Sequence, residues 1–332
     1  IGEAAKGRLQ KRGFHPTGII GAFGCAAAAG WLKSITQKQF SHSLGITLSM
    51  ASGSLEFLAD GAWTKRLHPG WAGVAGLTAS TLATHNFTGP KRPFEGRFGL
   101  YNTLLGTPND IDFSEIGDDL GDNWRTLGTA FKPYPACHFN HAFADCALAL
   151  REQHDFSVAD IDSVTALIHA DQIPIVCEPV GKKLHPKSHY DAQFSVPYII
   201  AATLVRGGFT LAELEPDALA DPDILALSAR VRYAEDPNSA YPTYYSGAII
   251  VKMRDGRMLE HREATNRGSD ANPLSESDIT KKFRGNASIV LNHTEIERLK
   301  DAVWHLDTAP DLTELTRALT SVENASNSAF RN

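Results

Sequence analysis

The spacing of apolar residues divides the chain into segments of different character. From Gly18 to about Leu105, apolar residues come in long stretches rich in Ala and Gly, joined by short polar connections. This pattern predicts packed helices. The longest apolar run, Ile19 to Leu32, contains three glycines and is shorter than the roughly 20 residues that span a bilayer, so we expect a buried helix. Small residues at regular spacing would let helix backbones approach closely; they are Gly21, Gly24, Ala28, Gly70, Gly73 and Gly76.

A polar and acidic stretch from Gly106 to Thr129 interrupts the helical pattern, and we place a domain junction there. Its acidic residues are Asp110, Asp112, Asp118, Asp119 and Asp122. The pattern then mixes strands and helices, which is typical of an α+β domain. We expect helices over 139–153 and 192–206, a β-rich segment over 163–169, a strand pair over 229–233 and 247–252, and a turn at Asp255-Gly256 into a strand over 258–263.

Helical signals return after Asn272-Pro273, where Ser275 and Ser277 are candidate N-caps. At 332 residues the chain exceeds the roughly 250–300 residues at which one hydrophobic core stops growing, so two cores are expected. The predicted fold is mainly α with an inserted α+β domain. Residues 1–129 would form a helical domain, 130–272 a smaller α+β lid, and 273–332 would return to the helical domain.

Composition excludes several classes of protein. The net charge is −6 and basic residues are scattered among acidic ones, so no nucleic-acid-binding stripe is present. No secretory signal is visible, and the four cysteines include no C-x-x-C pair, which favours reduced thiols in the cytoplasm over a zinc or iron–sulfur site. The chain starts with Ile1 and not Met, so we expect a fragment or a processed product.

His15 is the first candidate site residue. It lies in Gly13 to Gly18, directly before the small-residue helix, where Pro16 and a possible N-cap at Thr17 mark the helix start. The positive end of a helix attracts carboxylates and disfavours imidazolium, so His15 would stay neutral and act as a base near pH 7. The alternative is a histidine that only packs or caps.

A second candidate is the basic and aromatic segment from Asp60 to Trp71. Lys65, Arg66 and His68 would lie ahead of a helix that starts near Gly70 and could form an anion pocket. The alternative is a solvated basic turn.

The third candidate is the segment from Lys132 to His141. His138 and His141 are three residues apart, a spacing that metal sites use, but nothing nearby completes a ligand set, so no metal is expected. Cys137 could be a nucleophile or a buried structural thiol. The sequence contains no dinucleotide-binding glycine motif, phosphate loop, nucleophile elbow or H-E-x-x-H motif.

Together these motifs resemble the MmgE/PrpD family over nearly the whole chain. The resemblance is carried by Gly13 to Gly18 with its Ala-rich helix, Lys65 to Trp71, Phe87 to Pro90 with Glu95-Gly96, Lys132 to Cys137, Phe194 to Tyr198, and Asn272 to Ser275 with Lys282-Phe283. Members include 2-methylcitrate dehydratase, cis-aconitate decarboxylase and iminodisuccinate epimerase. The resemblance implies a large helical domain, a smaller α+β lid with the site between them, a homodimer, and catalysis without metal or cofactor.

By this resemblance His15, Lys65 and Lys132 match positions that line the family's active site, with His68 beside them. We therefore expect catalysis by His15, Lys65 and His68. Substrate binding is assigned to Arg66, Lys132, Cys137 and His138. A lysine can stabilise the negative charge that develops when a proton leaves next to a carboxylate, while a neutral histidine moves the proton.

The expected reaction is a dehydration like that of 2-methylcitrate dehydratase, an enzyme of propionate metabolism, on a small di- or tricarboxylate. Epimerase, decarboxylase and a catalytically inactive carboxylate-binding homologue remain as alternatives.

Two departures from the family bear on the choice between these reactions. Family members carry a further segment ahead of the position that matches Ile1. A histidine and a tyrosine of cis-aconitate decarboxylase match Cys137 and Ile173 here, which argues against decarboxylation, although His138 is one residue away.

Overall fold

The computed structural model describes residues 1–106, 111, 113, 117 and 119–320. The chain divides into two compact units, Ile1–Trp124 and a second unit that begins at Arg125. This division lies close to the junction predicted after residue 129. Three acidic residues that marked the junction in the sequence, Asp110, Asp112 and Asp118, fall outside the described residues.

The first unit is helical, as predicted. Its helices are α1 (Arg8–Lys11), α2 (Pro16–Leu32), α3 (Gln37–Leu48), α4 (Phe57–Asp60), α5 (Thr64–Thr84) and α6 (Leu100–Leu105). Helix α2 contains the long apolar run and packs mainly against α5, with α3 contacting both. No helix among the described residues is both long and apolar enough to cross a membrane.

Helices α2 and α5 approach each other closely because glycine occupies the contact. A Cβ added at Gly76 would lie 2.4 Å from the backbone nitrogen of Ala26, and one at Gly21 would touch the Cβ of Ala72 at 3.4 Å. The prediction of glycine-mediated close packing is right for Gly76, whereas at Gly21 an added Cβ would make only ordinary van der Waals contact. It is wrong for Gly24, Gly70 and Gly73, beside which there is open space.

The second unit combines helices with a four-stranded mixed sheet. Its helices are α7 (His141–Gln153), α8 (Ile173–Val176), α9 (Val180–Leu184), α10 (His189–Ala192), α11 (Val196–Arg206), α12 (Pro216–Leu219), α13 (Pro222–Ser228), α14 (Glu276–Ala287), α15 (His293–Trp304) and α16 (Thr313–Thr320). Its strands are β1 (Ile161–Ile168), β2 (Val231–Glu235), β3 (Gly247–Met253) and β4 (Met258–Glu263).

The strand order in this sheet is β2-β1-β3-β4. Strands β3 and β4 form the antiparallel hairpin that Asp255-Gly256 predicts. The predicted pairing of the segments around 229–233 and 247–252 is wrong, because β1 lies between them and pairs parallel with β2. Helices α7 and α11 pack together, with α7 contacting β3 and β4 and α11 contacting β2, and they enclose a core that includes Phe143, Tyr198 and Ile249.

Helix α14 begins with a capping box in which Ser275 accepts from the backbone N–H of Asp278 and the Asp278 carboxylate accepts from Ser275. The Ser275 N-cap is confirmed, whereas Ser277 lies inside the helix. Helices α14 to α16 belong to the second compact unit. The prediction that residues 273–332 return to the helical domain stays a prediction.

Replacing Gly76 with Ala should destabilise the first unit. The added Cβ would collide with backbone and not with a movable side chain, and such overpacking typically costs about 1–3 kcal/mol. The matched control is Gly73→Ala in the same helix, where the space is open and Ala should stabilise by up to about 1 kcal/mol. Urea denaturation measures both, and equal effects at the two positions would contradict the close packing.

Candidate active site

Three of the predicted site residues, His15, Lys65 and His68, lie together in the first unit. His15 is the residue immediately before α2, and its backbone N–H donates to the carbonyl of Gly53 at 2.9 Å. Its ring Nδ1 lies 2.7 Å from Nδ1 of His68, which is buried in the second turn of α5. These two histidines form a hydrogen-bonded pair.

Two details of the helix starts differ from the prediction. The N-cap of α2 is His15 itself, not Thr17, because Pro16 already occupies the first helical position. Helix α5 starts at Thr64, not near Gly70, and Pro69 lies inside it. The predicted basic segment is therefore the first turns of α5 and not a loop ahead of it.

The short contact between the two rings restricts how their ring nitrogens can be protonated. Of two imidazole nitrogens at hydrogen-bond distance, one must donate and the other accept. The donating ring then keeps an unprotonated Nε2, which can act as a base. The accepting ring, when neutral, carries its proton on Nε2 and can act as an acid. The His15–His68 pair thus supplies both functions of acid–base catalysis while neutral.

Burial keeps His15 neutral. Desolvation lowers the pKa of His15 to about 4, and the neighbouring His68 and Lys65 lower it further in the same direction. A neutral His15 was also expected from the sequence, but with the helix dipole as the cause. Here the larger cause is removal from water, which disfavours the charged imidazolium.

An aromatic ring and two glycines shape the surroundings of the pair. The buried ring of Phe57 meets the ring of His15 at a centroid distance of 5.6 Å and that of His68 at 5.9 Å. Gly53 has φ +154°, and a Cβ there would lie 3.5 Å from Nδ1 of His68. A Cβ at Gly18 would lie 2.3 Å from the carbonyl oxygen of Ser52. Any larger residue at position 18 would displace the backbone beside the pair.

The two basic residues of this segment face different surroundings. The Lys65 ammonium lies 5.9 Å from the centroid of the Phe57 ring, close enough to the pair to influence the charge of His15. Arg66 is exposed, and its guanidinium lies 4.9 Å from the centroid of Trp63. The structure thus groups Lys65 with the histidine pair. The substrate-binding role of Arg66 stays a prediction.

The remaining predicted site residues, Lys132, Cys137 and His138, lie in the second unit and form a second cluster with His141 and Asn266. The Lys132 ammonium donates to the carbonyl of Ala136 at 3.1 Å, and the Lys282 ammonium donates to the carbonyl of Lys132. Lys132 thereby closes the loop that leads to the histidines.

Both histidines of the second cluster are held neutral. Burial, and then the charge of Lys132, lowers the pKa of His138 to about 4. Burial also holds the pKa of His141 well below its usual range. The ring centroids of the two histidines are 4.8 Å apart, and the ring of Tyr245 lies 4.6 Å from that of His138.

The loop that carries His138 is fixed by Gln193. Its carbonyl accepts from the backbone N–H of Cys137 at 2.8 Å and from the Asn140 side chain at 3.0 Å, while its own side chain donates to the carbonyl of Pro135 at 2.9 Å. Gln193, Phe57 and Asn266 contact the candidate site residues, and the sequence did not reveal them. No local motif marks them, because each acts through a contact distant in sequence.

A metal was not expected at either cluster. Among the described residues, no group of three or more His, Cys, Asp or Glu side chains is arranged to hold a metal ion. His138 and His141 share the metal-site spacing, but the side chain facing Nε2 of His138 is an amide, Asn266. Metal independence stays a prediction.

Removing the charge of Lys65 should raise the pKa of His15. In Lys65→Met the value should move up from about 4 but stay below 6.5, because burial and His68 remain. Titration followed by NMR of histidine-labelled protein measures it, with Lys91→Met as the control for loss of an exposed lysine in the same unit. A His15 pKa of 6.5 or above in the unchanged protein would contradict the site geometry.

Neutral His15 and His138 should make stability depend on pH. The pKa of each is about 4 when folded, below the ordinary 6.5, so between these values the unfolded chain binds more protons. Their contribution is therefore complete above pH 6.5 and is lost as the pH falls toward 4. Urea denaturation at pH 7.5, 6.5 and 5.5 should show a smaller loss in the double variant His15→Gln/His138→Gln than in wild type. The exposed-residue control His293→Gln should follow wild type.

Comparison with known proteins identifies the family of this chain. Residues 1–112 match the model of the MmgE/PrpD N-terminal domain, and residues 134–308 match that of the MmgE/PrpD C-terminal domain. Cis-aconitate decarboxylase of Mus musculus is 28% identical over 320 residues, covering 94% of this chain and 63% of that protein. The enzyme of the same name from Homo sapiens is also 28% identical, over 96% of this chain and 66% of its own length.

A further similarity is shorter. The 2-methylcitrate dehydratase of Cupriavidus necator is 31% identical over 111 residues, which is 31% of this chain and 22% of that protein. The chain spans about two thirds of the length of the cis-aconitate decarboxylases that it matches. Since the two domain models together cover most of the sequence, the chain belongs to the MmgE/PrpD family.

Proposed function

We propose that this protein is a lyase that acts on a small di- or tricarboxylate by moving a proton at a carbon next to a carboxylate. The observation that carries the proposal is the hydrogen-bonded His15–His68 pair beside Lys65, in which partial burial keeps His15 neutral. The Nε2 of one ring can take up a proton, the other ring can deliver one, and the lysine can stabilise the negative charge that develops between these events.

Among the possible reactions, decarboxylation of cis-aconitate is the first to test. The relatives with that name match this chain over 94–96% of its length, whereas the 2-methylcitrate dehydratase match covers 31%. Cys137 stands where cis-aconitate decarboxylase has a histidine, which argued against decarboxylation. The adjacent His138 supports testing decarboxylation first, because it supplies a histidine one residue away. Dehydration of 2-methylcitrate, the reaction favoured by the sequence motifs, is the second candidate.

The resemblance also suggests properties of the assembled enzyme. A site formed by both domains, a homodimer, catalysis without a metal, and a cytoplasmic location are part of this proposal. They are supported by family membership alone. An epimerase would use the same proton chemistry without bond cleavage, so only identification of the product distinguishes it from a lyase.

The decisive assay supplies cis-aconitate or 2-methylcitrate to the purified full-length gene product. Decarboxylation is followed as released CO2, and dehydration as a new conjugated double bond in the ultraviolet. Proton NMR of the products would reveal an epimer. Turnover of none of these substrates by folded protein would overturn the proposed function in favour of an inactive carboxylate-binding homologue.

Lys65→Ala should lower kcat/KM by a factor on the order of 10², because a positive charge that stabilises the transition state is lost. Lys65→Arg should restore only part of the activity, since the guanidinium is larger and cannot donate its proton at neutral pH. Lys91→Ala, at an exposed position of the same unit, is the control and should keep full activity. Near-normal turnover by Lys65→Ala would show that Lys65 is only a surface residue of α5.

A further inference from the structure

Asn266 is a buried side chain in the loop after β4, and it contacts His138. Its Oδ1 accepts the backbone N–H of Tyr245 at 3.0 Å, and its Nδ2 lies 3.1 Å from Nε2 of His138. The backbone N–H can only donate, so Oδ1 must be the atom that faces Tyr245. The orientation of the amide is therefore fixed by the backbone, and its NH2 group points at the imidazole.

This orientation determines the protonation of His138. An NH2 group has no lone pair to offer, so Nε2 of His138 must accept and carries no proton. The ring proton then resides on Nδ1. His141 has the opposite arrangement, because its Nε2 faces the carbonyl of Ala136 at 3.3 Å and must donate. Two adjacent histidines thus carry their protons on different nitrogens.

The loop is anchored so that Asn266 has little freedom to move. Arg267 donates to the hydroxyl of Tyr134 at 2.9 Å and lies 3.1 Å from the carboxylate of Asp145, which also accepts the Tyr134 hydroxyl at 2.6 Å. Gly268 has φ +90°, and a Cβ there would lie 1.9 Å from the carbonyl oxygen of Phe131. These contacts tie the residues that flank Asn266 to the segment leading to His138.

We propose that Asn266 is a positioning residue that holds His138 as the neutral tautomer with its proton on Nδ1, so that Nδ1 of His138 donates a hydrogen bond to the negative charge that develops on the substrate. The catalytic part of this proposal rests on the proposed function. The tautomeric part does not, since it follows from the hydrogen bonds alone.

Other groups around His138 favour the same neutral state. The charge of Lys132 in the preceding loop and burial both lower the pKa of His138. The rings of His141 on α7 and of Tyr245 lie against it. Lys282 on α14 adds a positive charge that lowers the pKa of His141, and burial and the charge of Lys132 lower the pKa of Lys282 itself. None of these groups selects between the two ring nitrogens, whereas Asn266 does.

The test is NMR of protein labelled with 15N in histidine, in which two-bond proton–nitrogen couplings identify the protonated ring nitrogen. His138 in the unchanged protein should show the Nδ1–H tautomer from pH 5.5 to 8. Asn266→Asp keeps an acceptor for Tyr245 but places a carboxylate oxygen against Nε2. His138 should then switch to a proton on Nε2, and its pKa should rise.

The control is Asn292→Asp, which adds the same charge at an exposed helix N-cap where Asp is equally favourable. It should leave the His138 spectrum unchanged. An Nε2–H tautomer or an imidazolium in the unchanged protein at pH 6 would overturn the proposal, whether or not any variant folds. A folded Asn266→Asp variant that keeps the Nδ1–H tautomer would overturn it as well.

Kinetics test the catalytic part. Asn266→Asp should lower kcat/KM by a factor on the order of 10², because the proton is then on the wrong nitrogen, and the acidic limb of its pH profile should move to higher pH. A switched tautomer with an unchanged rate and pH profile would show that His138 is not the donor. Absence of turnover in the unchanged protein would instead refute the proposed function, while the NMR result would still decide the role of Asn266.

Discussion

The close backbone contact between α2 and α5 is the constraint on which the first site depends. His15 precedes one helix and His68 lies within the other, so their 2.7 Å contact exists only if both helices keep their separation. Gly76 allows that separation at Ala26, and Gly18 allows the loop at Ser52 to pass beside His68. Residues without side chains therefore set the distance between the side chains that would do the chemistry.

In the second unit the site histidine is positioned by hydrogen bonds and not by a close contact between helix backbones. Hydrogen bonds to Gln193 and Asn266 hold the loop around His138, and a partly buried ion pair between Arg267 and Asp145 anchors the segment behind Asn266. Each unit holds a half-buried site histidine neutral, His15 in the first unit and His138 in the second. An enzyme that moves a proton next to a carboxylate needs such neutral groups, because an imidazolium cannot act as a base.

Local patterns predicted the elements but not their partners. The Ala- and Gly-rich segments form helices, Asp255-Gly256 forms the hairpin turn, and Ser275 caps α14, since each signal acts within a few residues. The position of β1 between β2 and β3 was not predictable, because β1 and β2 pair across a long helical crossover. A capping role for Thr17 was expected from residue type, but Pro16 shifted the helix start by two positions.

The same limit applies to the sites. The resemblance to the MmgE/PrpD family pointed to His15, Lys65 and His68, and the structure brings these residues together. The residue that orients His138 in the second unit could not be identified, because Asn266 and His138 are 128 positions apart and nothing near Asn266 in sequence indicates the contact. Residue type and the family resemblance indicated residues that lie together in the first unit, whereas the contacts that orient the second cluster depend on the fold and have no local signal.

The Nδ1-to-Nδ1 contact of His15 and His68 has a consequence for the charge balance of the site. If a proton enters at the Nε2 of one ring, the proton between the rings can shift across, and the Nε2 proton of the other ring can leave. The pair then returns to its starting charge with its two roles exchanged. Because a concerted transfer of this kind leaves no net charge on the pair, it avoids the cost of holding a partly desolvated imidazolium there.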